Sequence, residues 1–250
     1  MSRIIGVLNF KGGTAKTTTV VNLAAGLALR GARVLCLDLD PQGSLAAYLG
    51  VSYRRSLADL LHGTAGVAAC TVLARANLDL IPGDRSLFNA EGMLWRMGNE
   101  RAARMLLSER MQSVDGYDYI ILDHSPSTSL LSESALLYAN ELMVPVAMTY
   151  LALVGARQVI DSLRSLGRIS DHRAQLGWIV PTFYYERLRK DRAVMGTLRQ
   201  HFGDRVTDPI RANVKLAEAP SHQQSIYEYA PSSTGAADYA LLVERIAQDG

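Results

Sequence analysis

The chain predicts an α/β fold, a doubly wound and mostly parallel sheet flanked by helices, and three observations carry that expectation. Short apolar runs alternate with stretches of helical spacing along the 250 residues, the pattern of strand–helix–strand crossovers. A turn with two adjacent glycines stands where the first apolar run gives way to the first helical stretch. Two later apolar runs end in aspartates, which places carboxylates at strand ends. With 48% apolar residues the chain can bury a large core, and no linker, low-complexity stretch or internal repeat divides it, so one domain over residues 1–250 is expected.

The first element, Ile4-Ile5-Gly6-Val7-Leu8, is apolar and largely β-branched and reads as a buried strand. From Thr17 to Arg30, Val21, Leu23, Ala24, Leu27 and Leu29 recur at helical spacing. Between them lies Asn9-Phe10-Lys11-Gly12-Gly13-Thr14-Ala15-Lys16-Thr17-Thr18. The two glycines let the backbone approach a phosphate, and the following helix offers unpaired N–H groups and a positive dipole end. Lys16 is then in reach of β and γ phosphates, with the Thr17 hydroxyl on Mg²⁺. The match to G-x-x-x-x-G-K-[ST] is incomplete: Phe10 and Ala15 hold the two glycine positions. Taken alone, the motif also fits a lysine-capped turn.

The second strand, Arg33 to Leu39, ends around Asp38 and Asp40, followed by Pro41-Gln42-Gly43. Spaced i, i+2 on a strand, the two carboxylates would share one face beside the phosphates, suited to water and metal. Ser86 to Met111 reads as a helical stretch with Met93, Leu94, Met97, Met105 and Leu106 toward the core and Arg96, Arg101 and Arg104 solvated. Tyr119-Ile120-Ile121-Leu122 reads as a third strand ending in Asp123, then His124-Ser125-Pro126-Ser127. A strand-end Asp of this kind holds Mg²⁺ in P-loop enzymes, or caps a helix. His124 is expected as a satisfied polar residue, and none of the five histidines has metal-ligand spacing.

Charge and cysteine content exclude several classes. Cys36 and Cys70 have no paired spacing, which argues for a reduced compartment and against zinc or iron–sulfur ligation. No signal peptide or membrane-length apolar run is read, and the phosphate loop so near Met1 leaves no room for an N-terminal helix-turn-helix. The end, Ala240 to Asp249, carries Arg245 as its only base and no aromatic anchor, which disfavours membrane binding. Net charge is only +2. Even so, Arg187, Arg189, Lys190, Arg192 and Arg199 crowd one segment, with Arg205, Arg211 and Lys215 after it. Such a run is a solvated helix face or a phosphate-contacting patch.

In these motifs the chain resembles the ParA-type partition ATPases of the deviant Walker group, which also contains MinD, the nitrogenase iron protein and some amide ligases. The family's K-G-G-x-G-K-T-T is matched by Lys11 to Thr18 except at Ala15. Its D-x-D-P-Q-G is matched by Asp38 to Gly43, and its D-x-P-P-S by Asp123 to Ser127 with Ser125 in place of a proline. Asn213 to Ser221, and Pro145-Val146 with Tyr150 to Gly155, are similar to further family stretches.

The resemblance implies an ATPase that dimerises on ATP with Mg²⁺. Lys11 would reach phosphates held by the other subunit, while Lys16 acts in its own subunit. Asp40 would position the attacking water. Nucleotide would be held by Lys11, Gly12, Gly13, Thr14, Ala15, Lys16, Thr17 and Thr18, with Asn213 as a base contact and Phe183 as a ring neighbour or core residue. Thr17, Asp38 and Asp123 would serve the metal, Asp38 through the metal shell or the switch loop. Arg187 and Lys215 would contact nonspecific double-stranded DNA. A cargo adaptor would stimulate an otherwise slow hydrolysis, in a cytoplasmic, nucleoid-associated protein that positions a cargo. A MinD-like membrane switch and an ATP-dependent amide ligase or dethiobiotin-synthetase-like enzyme are the competing readings. Two features are specific to this sequence: Ala15, strained by about 1 kcal/mol if the loop is left-handed there, and Arg211, where many members have proline.

Overall fold

The computed structural model describes residues 2–149, 161 and 174–249. The first strand, β1 (Arg3–Val7), leads through the glycine turn into α1 (Lys16–Leu29). Next come β2 (Val34–Asp38), α2 (Ser44–Leu49), α3 (Leu57–His62), α4 (Val67–Cys70), β3 (Val72–Arg75) and β4 (Leu78–Ile81). They are followed by α5 (Leu87–Arg96), α6 (Glu100–Met111), β5 (Tyr119–Asp123), α7 (Leu130–Tyr138) and β6 (Glu141–Ala147). The last are β7 (Gln175–Thr182), α8 (Arg189–Phe202), α9 (Val214–Glu218), α10 (Ile226–Tyr229) and α11 (Thr234–Gln248). Of the family-like stretch at 145–155, residues 150–155 lie outside the described residues.

Among the described residues the strands form one seven-stranded sheet in the order β3-β4-β2-β5-β1-β6-β7. All neighbours are parallel except the β3–β4 pair at one edge. The doubly wound parallel sheet expected from the alternating pattern is therefore present. Its central strands are buried on both faces, as their uninterrupted apolar runs require. One core layer packs α1, α2 and α11 on the sheet, with Leu23, Leu27, Tyr239, Leu242 and Ile246 at its centre. The other packs α3, α5, α6 and α7, around Leu57, Leu94, Leu107 and Leu122. Most of the apolar residues of α11 are thus buried in this layer, Leu241 being exposed, and no described helix is long and apolar enough to cross a membrane.

The single helix expected from Ser86 to Met111 is two. Gly98 adopts φ +65°, and the Asn99 side chain caps the second helix by accepting the Ala102 N–H at 3.1 Å. A left-handed glycine followed by an asparagine cap ends one helix and starts another. The break exposes Met97, and Arg104 is not a free solvated cation: it bonds Glu133 at 2.6 Å and Glu100 at 2.7 Å.

The sheet edges are modified. On β3 the register slips between Leu73 and Arg75. The Arg75 guanidinium holds Glu228 at 2.6 Å and the carbonyls of Leu49 and Gln223. Beyond β7, single bridges join Ile179 to Val206 and Tyr184 to Arg211.

Candidate nucleotide and magnesium site

Strands β2, β5 and β1 stand side by side and register Asp38 against Asp123 and Asp123 against Val7. The two aspartates and the start of the glycine turn therefore meet at the same carboxyl end of the sheet, where ligands of open α/β sheets bind. Asn9, a residue whose part is invisible in local sequence, fixes the turn there. Its amide donates to the Pro145 carbonyl at 2.8 Å and its oxygen accepts the Lys11 N–H at 2.9 Å, with the side chain fully buried. From the far side the Thr182 hydroxyl donates to the Thr14 carbonyl at 3.2 Å. Gly12 and Gly13 are exposed, and nothing lies within 4 Å of where a side chain would project from either.

Ala15 sits at φ 68°, ψ 31° as the N-cap of α1. The left-handed conformation is thus present, and the helix begins one residue later, so alanine's helix propensity brings no compensation. Alanine is also a poor N-cap. Ala15→Gly is expected to stabilise the chain by about 0.5–1 kcal/mol, the left-handed relief exceeding glycine's extra unfolded-state entropy. Urea denaturation of the two forms checks the sign; a loss of stability would mean that the loop relaxes elsewhere.

The two loop lysines differ. Lys16 is buried, with its ammonium on the Lys11 carbonyl at 3.2 Å. Burial pulls its pKa below the usual lysine range, opposed by the charges of Asp123 and Asp40. The Lys11 ammonium, half-buried, takes no hydrogen bond or ion pair among the described residues.

Asp123 is buried. Its Oδ2 accepts the Thr17 hydroxyl at 2.7 Å, while Oδ1 has no hydrogen-bond partner. Burial first, then the charge of Asp38, raises its pKa well above the carboxylate range, and the Thr17 hydroxyl and Lys16 offset part of this. A threonine hydroxyl beside an orphaned carboxylate oxygen is a hard-oxygen pair that fits Mg²⁺, which binds through one or two protein oxygens together with phosphates.

Asp38, also buried, turns both oxygens to loop backbone: Oδ1 accepts the Asp40 N–H and Oδ2 the Leu45 N–H, each at 3.0 Å. Burial raises its pKa to about 7 against those two hydrogen bonds, with Asp40 and Asp84 adding to the rise. Of its two expected roles, the visible contacts are those with the loop. Nor do Asp38 and Asp40 share a strand face. β2 stops at Asp38 and the chain turns, the Gly43 N–H bonding the Asp40 carbonyl at 3.0 Å. Asp40 is therefore placed by the turn and is half-buried, its Oδ1 accepting the Gln42 N–H at 2.9 Å.

Other expectations are corrected. His124 is buried with both ring nitrogens unpartnered, and burial drives its pKa down to about 3, so it is neutral rather than a satisfied polar residue. Phe183 is not core: it is 47% exposed and left-handed at φ 55°. Asn213 caps α9, accepting the Lys215 N–H at 2.8 Å and donating to the Thr234 hydroxyl at 2.7 Å. A base contact is left one lone pair and one N–H of its amide. Arg211 is held by Asp238, which also accepts its backbone N–H at 2.9 Å. Arg187 is exposed with no ion pair among the described residues, whereas Lys215 pairs with Glu218 at 2.9 Å and lies over the Tyr229 ring at 5.6 Å.

A phosphate-type turn opening a helix, a buried lysine inside it and a strand-end aspartate bonded to its threonine define a P-loop nucleoside triphosphatase. Comparison with known proteins narrows the class. Residues 2–175 match the family described as the AAA domain. The chain is 38% identical over 245 residues to the chromosome-partitioning ATPase Soj of Thermus thermophilus, covering 98% of this chain and 95% of that protein. In fold it resembles an ATP complex of Cyanothece McdA, with a TM-score of 0.87 at 21% identity, covering 99% of this chain and 95% of that one. It also resembles the ADP- and magnesium-bound cobyrinic acid a,c-diamide synthase of Mycobacterium smegmatis, with a TM-score of 0.84 at 28% identity, covering 99% and 95%. The chain belongs to the ParA/Soj family of deviant Walker ATPases. It hydrolyses ATP, with Mg²⁺ as its cofactor.

Proposed function

We propose that the chain is a one-domain switch that dimerises on ATP, binds DNA nonspecifically, positions a cargo in the cytoplasm along the nucleoid, and is released when an adaptor protein stimulates its slow hydrolysis. The observation that carries this is the division between the lysines: Lys16 is enclosed in its own loop, and the Lys11 ammonium, beside two exposed glycines, has no hydrogen-bond or ion-pair partner among the described residues. A cation so placed is available to phosphates held by a second subunit, where it does what an arginine finger does elsewhere. Within each subunit Gly12 to Thr18 wrap the phosphates, and Asn213 reaches the base with its remaining amide capacity. Thr17 and Asp123 hold Mg²⁺, which neutralises charge developing on the phosphates. Asp38 keeps the 40–45 loop in place, and Asp40 orients the attacking water.

Arg187 and Lys215 contact DNA phosphates, and dimerisation joins two such surfaces into a longer one. The test is binding to duplex DNA of arbitrary sequence with ADP and with ATP across a salt series. Tight binding with ATP alone, weakening steeply with salt, is the expected result. Arg187→Ala and Lys215→Ala should each weaken it for all sequences while ATP-dependent dimerisation persists. Absence of binding in a protein that holds ATP would overturn the DNA-tethered reading.

A second reading, an ATP-dependent amide ligase, draws on the 28% identity to the diamide synthase. It predicts ADP release that depends on a small carboxylate substrate, and duplex DNA without effect.

A further inference from the structure

One side of α1 turns polar groups into the core. Thr19, Asn22 and Gly26 stand three and four residues apart and so share a face of the helix, and both Thr19 and Asn22 are fully buried. Gly26 lets the neighbouring helices close on this face: a Cβ there would lie 2.5 Å from a Val243 methyl of α11 and 2.7 Å from the Tyr227 hydroxyl of α10. The Asn22 amide is engaged at both ends. Its Nδ2 donates to the Thr18 carbonyl at 2.8 Å, and its Oδ1 accepts the Ile226 N–H at 2.8 Å across 204 positions. Ile226 is the first residue of α10, so its N–H has no carbonyl of its own helix to bond. The capping box of Ser225 and Glu228 serves the N–H groups of those two residues and leaves that of Ile226 to Asn22. One main-chain acceptor and one main-chain donor fix which way the amide points. Losing the bond to Ile226 would orphan a buried N–H as well as half of a buried amide.

The bonds of this face land on the first turn of α1, next to Lys16 and Thr17. Thr18, which follows Thr17 directly, is held by Asn22, and the Thr19 hydroxyl meets the Tyr239 hydroxyl of α11 at 3.2 Å. At their other ends the same helices lead back to Asn213. Its amide donates to the Thr234 hydroxyl, in the first turn of α11, at 2.7 Å. It also caps α9, which ends in Glu218, and Glu218 accepts the Tyr229 hydroxyl of α10 at 2.8 Å. The residue assigned to the base and the residues assigned to phosphate and metal are therefore joined through α10 and α11, and Asn22 is the one side chain that ties main chain to main chain across the junction with α10.

We infer that Asn22 is a positioning residue that makes turnover depend on the base of the nucleotide. A base held at Asn213 sets α10 against α1, and Asn22 carries that setting to the turn where Lys16 and Thr17 meet the phosphates and Mg²⁺. Fully buried behind this turn, Asn22 acts through Thr18 rather than on the nucleotide. The inference rests on the assignment of Asn213 to the base, made under the proposed function, and names the residue by which that contact reaches hydrolysis.

The test compares phosphate release at saturating ATP and at saturating CTP, which keeps the ribose and triphosphate and changes the base, together with the affinity for each. The proteins are the unaltered chain, Asn22→Leu, Asn213→Ala and the double variant, all with Mg²⁺. Asn22→Leu nearly keeps the side-chain volume and removes both bonds. The unaltered chain should turn over ATP about tenfold faster than CTP. In Asn22→Leu the ATP rate should fall severalfold toward the CTP rate, while the CTP rate stays within about twofold and ATP affinity within about threefold. Asn213→Ala should lower the ATP rate in the same way, and the loss in the double variant should fall short of the product of the two single losses. Asn22→Ser, too short to reach Ile226, carries the same expectation and replaces Asn22→Leu if that variant does not fold. A merely structural Asn22 would slow ATP and CTP alike and multiply with Asn213→Ala; that outcome overturns the inference, as does equal turnover of ATP and CTP by the unaltered chain. An ATP preference that Asn213→Ala removes and the Asn22 variants leave intact overturns the inference alone. One that survives Asn213→Ala overturns the base assignment, and this inference with it.

Discussion

Asp40→Ala should leave ATP binding intact, lower hydrolysis by about a hundredfold or more, and accumulate the ATP-bound dimer on DNA. Its carboxylate is the one of the three site aspartates that remains half-exposed. Asp38 has both oxygens on loop N–H groups, and Asp123 has one on Thr17. Removing Asp40 deletes the group proposed to orient water without opening a buried cavity, so on that proposal the ground-state complex survives while turnover does not. Sedimentation with ATP and Mg²⁺, together with single-turnover phosphate release, separates these effects. A variant that stays monomeric with ATP shows that Asp40 supports assembly instead.

The second large effect should split the two lysines. Lys16→Ala removes the buried ammonium from inside the loop and should abolish ATP binding by the single subunit, and hydrolysis with it. Lys11→Ala should keep nucleotide binding, because its ammonium makes no hydrogen bond or ion pair among the described residues of its own subunit, while losing the ATP-dependent dimer and about a thousandfold of turnover. Polarisation of a fluorescent ATP analogue measures the first property and light scattering the second. Normal dimerisation of Lys11→Ala would refute the assignment in trans.

The parts legible in the sequence are those that local chemistry dictates. The strand before the glycine turn, the helix after it and Asp123 at its strand end follow from apolar runs and turn residues, and the sheet class follows from their alternation. The site's long-range ties were not legible. Asn9 to Pro145, Thr182 to Thr14 and Glu91 to the start of α7 join ordinary polar residues across 136, 168 and about 40 positions, and no spacing announces them. Period-2 alternation, continued past the residue where β2 stops, puts Asp40 on a strand face that it does not occupy. For Phe183 the sequence leaves two alternatives, ring neighbour or core, and only the fold, with its exposed and left-handed position, removes the second. The missed helix break had a signal, Gly98 followed by Asn99, which the continuing apolar spacing on either side masked.

The slipped register of β3, with Arg75 clamped to Glu228 and two carbonyls, and the bridges laid outside β7 leave neither margin of the sheet as a straight row of open amides. A protein expected to gather at high local density around a cargo has to survive crowding without sheets adding end to end into fibrils. Under the proposed ATP-dependent assembly, any ordered array would therefore grow through side-chain surfaces rather than through the sheet, and would dissolve as the nucleotide is consumed.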